Sequence, residues 1–180
     1  CIAAPGKQKN QKKNNLPKMN KPPSLRPATE QDAALLAKSI EKLIVNIPYY
    51  NDLAKRIEIN RYSATALLTK IKEDKHAVII AGTENEIAGF CLSRFDDYTV
   101  WLEWFGVTEN YRGMGLTRQL LQKLEDTIAE RGCHKIWCDC RTSNQAAIHL
   151  LTTTGYSQIT TIKNHWYKQD FILLEKEIIQ

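Results

Sequence analysis

The stretch Val107-Thr-Glu-Asn-Tyr-Arg-Gly-Met-Gly-Leu-Thr117 constrains the fold of this chain more than any other. Before it, Tyr98–Thr108 is dense in aromatic and β-branched residues, which suit a pleated, half-buried strand. After it, Leu116, Leu120, Leu121, Leu124 and Ile128 recur at helical spacing, closed by Gly132. A strand that runs through Gly113 and Gly115 into an amphipathic helix leaves free amides at the first helical turn. The glycines let backbone approach a ligand closely, and Arg112 adds positive charge. A pyrophosphate is the natural guest of such a turn. It is not a dinucleotide fingerprint, because Arg118 stands at the third glycine position. It is not a P-loop, because no Gly-Lys-Ser/Thr follows. An ordinary glycine-rich connection accounts for the same residues, and at this level both readings stand.

The period of the apolar pattern places the other elements. Ser24–Pro27 reads as a short strand, and Thr29 as the N-cap of a helix with Leu36, Ile40, Leu43 and Ile44 on one stripe. That helix stops before Pro48; two shorter ones follow, from Asn51 to Ile57 and from Ser63 to Lys72. His76–Ala81 and Glu86–Arg94 form a hairpin that leads, through Asp96-Asp97, to Tyr98–Thr108. Beyond Gly132 come a strand at His134–Arg141, a helix at Asn144–Thr154 ended by Gly155, and strands at Tyr156–Ile162 and Tyr167–Glu175. The order predicts an α+β, mixed αβα three-layer domain with one central sheet.

Charge divides the chain. Residues 1–27 carry seven lysines and arginines, no acid and five of the six prolines, so the remainder is net negative by two within a total of +5. Residues 1–24 are expected to be a disordered basic tail, a solvated leader or a weak electrostatic contact for nucleic acid or the ribosome, with the domain over 25–180. Apolar runs such as Phe171–Leu174 fall far short of the ~18 residues a membrane span needs. Five cysteines, Cys1, Cys91, Cys133, Cys138 and Cys140, suggest reduced thiols and a cytoplasmic setting rather than a disulfide framework. Cys138 and Cys140 share a strand face with Ile136, which favours buried thiols over metal ligands, so no metal is expected.

Two blocks together resemble the GNAT superfamily of N-acetyltransferases. The family loop Gln/Arg-x-x-Gly-x-Gly/Ala is matched by Asn110-Tyr-Arg-Gly-Met-Gly115, apart from its first residue. The family block Asn-x-x-Ala-x-x-Leu-Tyr-x-x-x-Gly-Phe/Tyr is matched by Asn144-Gln-Ala-Ala-Ile-His-Leu-Leu-Thr-Thr-Thr-Gly-Tyr156, with Leu151 in place of the tyrosine. Trp137–Asn144 and Ala147–Leu150 are most similar to the branch that acetylates N-terminal amines, including ribosomal-protein alanine acetyltransferases.

The resemblance implies a mostly antiparallel sheet splayed between its fourth and fifth strands, and acetyl-CoA as co-substrate. The diphosphate would lie on Asn110, Tyr111, Arg112, Gly113, Met114, Gly115, Leu116 and Thr117. The pantetheine arm would run along Phe105, Gly106 and Val107, with Val107 offering an oxyanion donor and Asn144 touching the arm. The acceptor would be a peptide N-terminus or small-molecule amine, attacking directly in a ternary complex; the oligomeric state, a homodimer included, is open. A non-catalytic acyl-CoA sensor is the alternative, motivated by Leu151.

Amine attack calls for a base near neutral pH. Strict alternation puts Glu103 on one face with Trp101, Phe105 and Val107, and Asp139 with Trp137 and Arg141. Either carboxylate is a candidate base; a solvent-facing Glu103 and an Asp139 ion pair with Arg141 or Lys135 are the structural alternatives. By position, the resemblance puts the base on Asp139 and the acid on Leu151, with Tyr111 or Tyr156 as substitute acids. Tyr49, Tyr50, Tyr62, Trp166 and Tyr167 are expected around the acceptor, whereas Trp101, Trp104, Trp137 and Trp166 also read as core and sheet-face residues.

Overall fold

The structure, a computed structural model, describes residues 23–178. The expected basic tail falls, but for its last two residues, outside the described residues.

The chain begins with β1 (Ser24–Pro27) and a 3-10 turn at Glu30–Asp32, which leads into α1 (Ala33–Val45). The Asp32 carboxylate fixes this junction. It accepts from the Thr29 amide at 2.7 Å and hydroxyl at 2.8 Å, and from both Arg26 terminal nitrogens at 2.7 and 2.8 Å. α2 (Asp52–Arg61) and α3 (Ala64–Glu73) start at the anticipated caps, Asn51 and Ser63, whose side chains accept from the amides of Ala54 and Ala66. α2 runs four residues beyond Ile57 because Glu58, turned inward, continues its buried side.

The sheet follows with β2 (Val78–Gly82), β3 (Ile87–Asp96), β4 (Thr99–Val107), β5 (Lys135–Arg141), β6 (Ser157–Ile162) and β7 (Phe171–Glu177). Between them lie α4 (Leu116–Glu130) and α5 (Gln145–Thr153). The strand order is β1-β2-β3-β4-β5-β7-β6. Every pairing is antiparallel except β4 with β5, which is parallel and limited to Thr99–Lys135, Val100–Ile136 and Trp101–Trp137. The two strands part from there, the splay the resemblance implied.

The core has two layers. On one face α1 to α3 bury Leu36, Ile40, Ile44 and Leu67 against Val78, Ile80, Phe90 and Trp104. On the other, α4 and α5 bury Leu120, Leu124 and Leu151 against Ile79, Cys91, Phe105 and Cys138. This is the expected three-layer αβα arrangement. Cys91, Cys133, Cys138 and Cys140 are free and buried, with Cys138 and Cys140 on the face of Ile136 as alternation requires. Among the described residues no helix is long and apolar enough to cross a membrane.

Two expectations fail where the chain bends. Leu92 pairs with Trp104 while Ser93 pairs with Leu102, so Glu103 is an extra residue, a β-bulge. The bulge reverses the alternation: Phe105 and Val107 point to the α4 face, and Glu103 does not share it. The last hairpin also breaks the period. Tyr167 stands outside β7, in a 3-10 turn at Trp166–Lys168, with φ of 56°.

Two stability predictions follow from these contacts. A Cβ at Gly106 would lie 2.9 Å from Phe90 Cζ and 3.1 Å from Leu43 Cδ1, inside the α1 interface. Gly106→Val therefore costs about 1–3 kcal/mol by overpacking, read from denaturant midpoints. Arg26, hydrogen-bonded to both oxygens, holds the Asp32 carboxyl down at about 2 against an ordinary 3.8. A depressed carboxyl stabilises the fold above its unfolded pKa and loses that effect as pH falls through the folded one. The advantage of the natural chain over Asp32→Asn, roughly 1–3 kcal/mol, is thus complete above pH 3.8 and fades as pH falls towards 2, which thermal melts across this window will show.

Candidate active site

The site begins where β4 leaves its partner. β4 ends at Val107, a 3-10 turn covers Glu109–Tyr111, and α4 starts after Gly115. Gly113 and Gly115 adopt φ of 79° and 74°, left-handed values that strain any residue with a Cβ. A Cβ at either position would meet nothing within 4 Å, so backbone shape, not crowding, calls for glycine there. Among the described residues, none of the amides from Gly113 to Arg118 donates to a protein acceptor. They form an open cradle at the positive end of a helix of 15 residues, with Gly113, Met114 and Gly115 exposed. Asn110 and Glu109 are exposed beside it, Thr117 is half-buried, Leu116 anchors α4 in the core, and the Tyr111 hydroxyl donates to Glu86 at 2.9 Å. Arg112 is half-buried, and its Nε has no partner among the described residues.

From Leu102 onward β4 has no β5 neighbour, so its edge is open over Phe105–Val107. Against the opposite arm of the opening stands α5. Asn144 caps that helix, accepting from the Ala147 amide at 3.3 Å, and its side chain is buried. Leu151 is wholly buried in the α4-side core and offers no proton. Tyr156 is buried on the same side, and burial pushes its hydroxyl well above the ordinary tyrosine range.

On the α1–α3 side a 650 Å³ cavity opens between the parting strands. Its walls include Tyr50, Tyr62, Trp101, Trp137, Trp166 and Tyr167, with Glu103 and Asp139 both facing in. Of the aromatic residues expected around an acceptor, Tyr49 is outside this lining; its backbone carbonyl accepts from Gln169 instead. Only Trp104 of the four tryptophans is a true core residue, stacked on Phe90 at 5.1 Å. Trp137 and Trp166 are 37% and 49% exposed, and Trp101 meets Trp137 edge-on at 4.7 Å.

Both candidate bases have partners other than those anticipated. Glu103, set opposite Leu102 by alternation, pairs with Lys70 of α3 at 3.0 Å, so it is not a simple solvent-facing residue. Asp139 shares its face with Trp137 and Arg141 as expected, and the anticipated partners Arg141 and Lys135 both hold other groups. Lys135 pairs with Glu175, and the Arg141 guanidinium lies 3.8 Å over the Tyr50 ring and donates to Gln169. Asp139 Oδ2 accepts from the Trp166 indole at 2.8 Å and lies 3.7 Å from His165 Nε2.

Sequence reasoning missed Lys70, His165, Glu58 and Arg61. Glu58 faces the cavity, accepts from the Tyr167 hydroxyl at 2.5 Å and pairs with Arg61 at 3.3 Å. Burial and that carboxylate push the Tyr167 hydroxyl upward, and burial does the same to Tyr50 and Tyr62. The one available signal was a polar residue, Glu58, on the inward stripe of α2.

The fold has counterparts among known proteins. The chain is 28% identical over 93 residues to an acetyltransferase of Pectobacterium atrosepticum, covering 52% of this chain and 66% of that one. It is 32% identical over 91 residues to the ribosomal protein bS18 alanine N-acetyltransferase of Escherichia coli, covering 49% of this chain and 60% of that one. The PaiA N-acetyltransferase of Thermoplasma acidophilum, solved with coenzyme A, superposes with a TM-score of 0.75 at 16% identity, over 86% of this chain and 98% of that one. The ribosomal-protein-alanine N-acetyltransferase of Brucella melitensis gives 0.68 at 24% identity, over 86% and 99%. The model of the acetyltransferase (GNAT) family matches residues 44–156, from α1 through the glycine turn and the parting strands to the end of α5. On that match the chain belongs to the GNAT family of acetyltransferases.

Proposed function

We propose that the protein moves the acetyl group of acetyl-CoA to a primary amine, a peptide N-terminus or a small-molecule amine, by direct attack in a ternary complex. The observation that carries this reading is the run of unpaired amides from Gly113 to Arg118 at the mouth of the β4–β5 opening. A diphosphate there meets a helix N-terminus and Arg112, an arrangement suited to a doubly charged anion. The open edge at Phe105–Val107 then receives the pantetheine arm, and the Val107 amide is our choice of oxyanion donor. Asn144 supports this arm from α5.

The acceptor enters from the aromatic cavity. Its electron-rich rings and the carboxylates Glu103 and Asp139 favour a cationic amine on arrival. The reacting nitrogen must be neutral, and an α-amine has a pKa of about 7.7–8.0, so a proton acceptor in the cavity raises the reactive fraction. The departing thiolate, if close to a cysteine thiol at ~8.5, leaves near neutrality without a strong acid. Leu151 is therefore compatible with turnover. Likeness to the E. coli bS18 acetyltransferase favours a peptide N-terminus within the amine class. Need for acetyl-CoA favours the cytoplasm as the place of action.

Acetyl-CoA is expected to raise the melting temperature, and Gly113→Val, strained at its positive φ, to weaken binding at least 10-fold by calorimetry. No shift at millimolar acetyl-CoA rules out the reading. Glu103→Gln or Asp139→Asn, made singly, should lower kcat by about 10²-fold or more while the acetyl-CoA Kd holds, where the carboxylate removed is itself the proton acceptor. Acetylated product, detected by mass spectrometry across amines and peptides, reports the rate.

A further inference from the structure

His165 reaches the cavity through a distorted backbone. Between β6 and β7, Asn164, Tyr167 and Lys168 all take positive φ, at 50°, 56° and 58°, without a glycine among them. Such conformations cost about 1–2 kcal/mol each for a residue with a Cβ, and they persist where surrounding contacts impose them. Asp170 accepts from the Asn164 amide at 2.9 Å within the turn, and the remaining contacts run towards the site. Trp166 donates to Asp139, Tyr167 donates to Glu58, and Gln169 donates to the Tyr49 carbonyl while accepting from Arg141. The ring of His165 is held between Trp166 at 4.6 Å and Phe171 at 5.7 Å, and its amide donates to the Gln169 carbonyl at 2.8 Å.

The carboxylates of this cavity are all engaged. Glu103 has Lys70, Glu58 has Tyr167 and Arg61, and Asp139 has the Trp166 indole. The Asp139 side chain is 11% exposed; that of His165 is 30% exposed, lines the cavity and lies 3.7 Å from Asp139. We propose that His165, oriented by Asp139, takes the proton from the attacking amine. This deepens the acetyl-transfer reading and rests on it.

At 3.7 Å the Asp139 carboxylate favours a proton on Nε2 electrostatically, without a direct hydrogen bond, and that tautomer leaves the Nδ1 lone pair free. The neutral amine forms its bond to the thioester carbon, and its proton passes to Nδ1, directly or through a water. The carbonyl re-forms as the carbon–sulfur bond breaks, the electron pair leaving on sulfur. The imidazolium then returns the proton to the thiolate or to solvent, giving amide and free coenzyme A. Glu103, Glu58, Arg61, Arg94 and Arg141 are the other charged groups around this cavity. Tyr50, Tyr62 and Tyr167 have hydroxyls raised by burial, which keeps them protonated near neutrality.

The test uses the full chain, a short alanine-initiated peptide and propylamine as acceptors, and thiol release as the rate. His165→Ala and His165→Gln should lower kcat by about 10²–10⁴-fold at neutral pH with the acetyl-CoA Kd unchanged. The acid limb of the kcat/KM profile should then report only the ionisation of the free amine, about 7.7–8.0 for the peptide, and added imidazole should restore turnover to His165→Ala. Asp139→Asn should slow the same step, without imidazole rescue. Wild-type rates and pH profile in both His165 variants overturn the inference. So does a slow His165→Ala that imidazole does not rescue and whose pH profile keeps the shape of the natural chain's, since that is the signature of a structural role. A natural chain that binds acetyl-CoA and acetylates no amine removes the underlying reading instead.

Discussion

Three residue pairs, Thr99–Lys135 to Trp101–Trp137, join β4 to β5, and everything functional lies beyond them. A parallel pair cannot be closed by a hairpin, so the chain must cross from one strand to the next through a helix. Here the crossover is α4, and its N-terminus falls at the open end of the pair. The strands part because their other partners pull in different directions. β4 stays in register with β3 as far as Val107, while β5 follows β7 to Arg141. The same geometry leaves a bare strand edge, a helix N-terminus with unpaired amides, and a gap through which two substrates can meet.

The bulge at Glu103 divides that gap chemically. Without it, Phe105 would follow Glu103 onto the α1–α3 side, because Leu102 already faces the α4 layer and alternation sets Glu103 opposite to it. With it, Glu103 and Trp104 both serve the α1–α3 side, one in the cavity and one in the core, and Phe105 closes the opposite layer. One extra residue thus separates the polar acceptor cavity from the apolar support of the glycine turn. Lys70 then holds the Glu103 carboxylate across the helix interface.

What was legible in the sequence was whatever depends on neighbours within a few residues. The leucine stripe of α4, the caps Asn51 and Ser63, the glycines at φ of 79° and 74°, and the C-x-C face on β5 follow from local periods and backbone sterics. The bulge was not legible, because it exists only in the register between β3 and β4. The partners of Asp139 were not legible either. Trp166 lies 27 positions away and arrives through a turn whose positive φ values have no glycine to announce them. The expectation that Tyr167 began a strand failed for the same reason: its aromatic character suits a strand, but its hydroxyl is bound to Glu58, 109 positions distant.

That turn and the cavity hold each other in place, and magnitudes show how closely. Three positive φ values cost about 1–2 kcal/mol apiece. Hydrogen bonds to charged groups contribute about 1.5–3 kcal/mol apiece, and the Trp166–Asp139 and Tyr167–Glu58 bonds are of that kind. The two sides are comparable, so these carboxylates, together with Asp170 at the Asn164 amide, hold the turn in its shape. The carboxylates in turn stay fixed in a half-open cavity only while the turn donates to them. β6 and β7, the outermost pair of the sheet, are therefore part of the site rather than its periphery. Their hairpin supplies its floor, an indole and its imidazole.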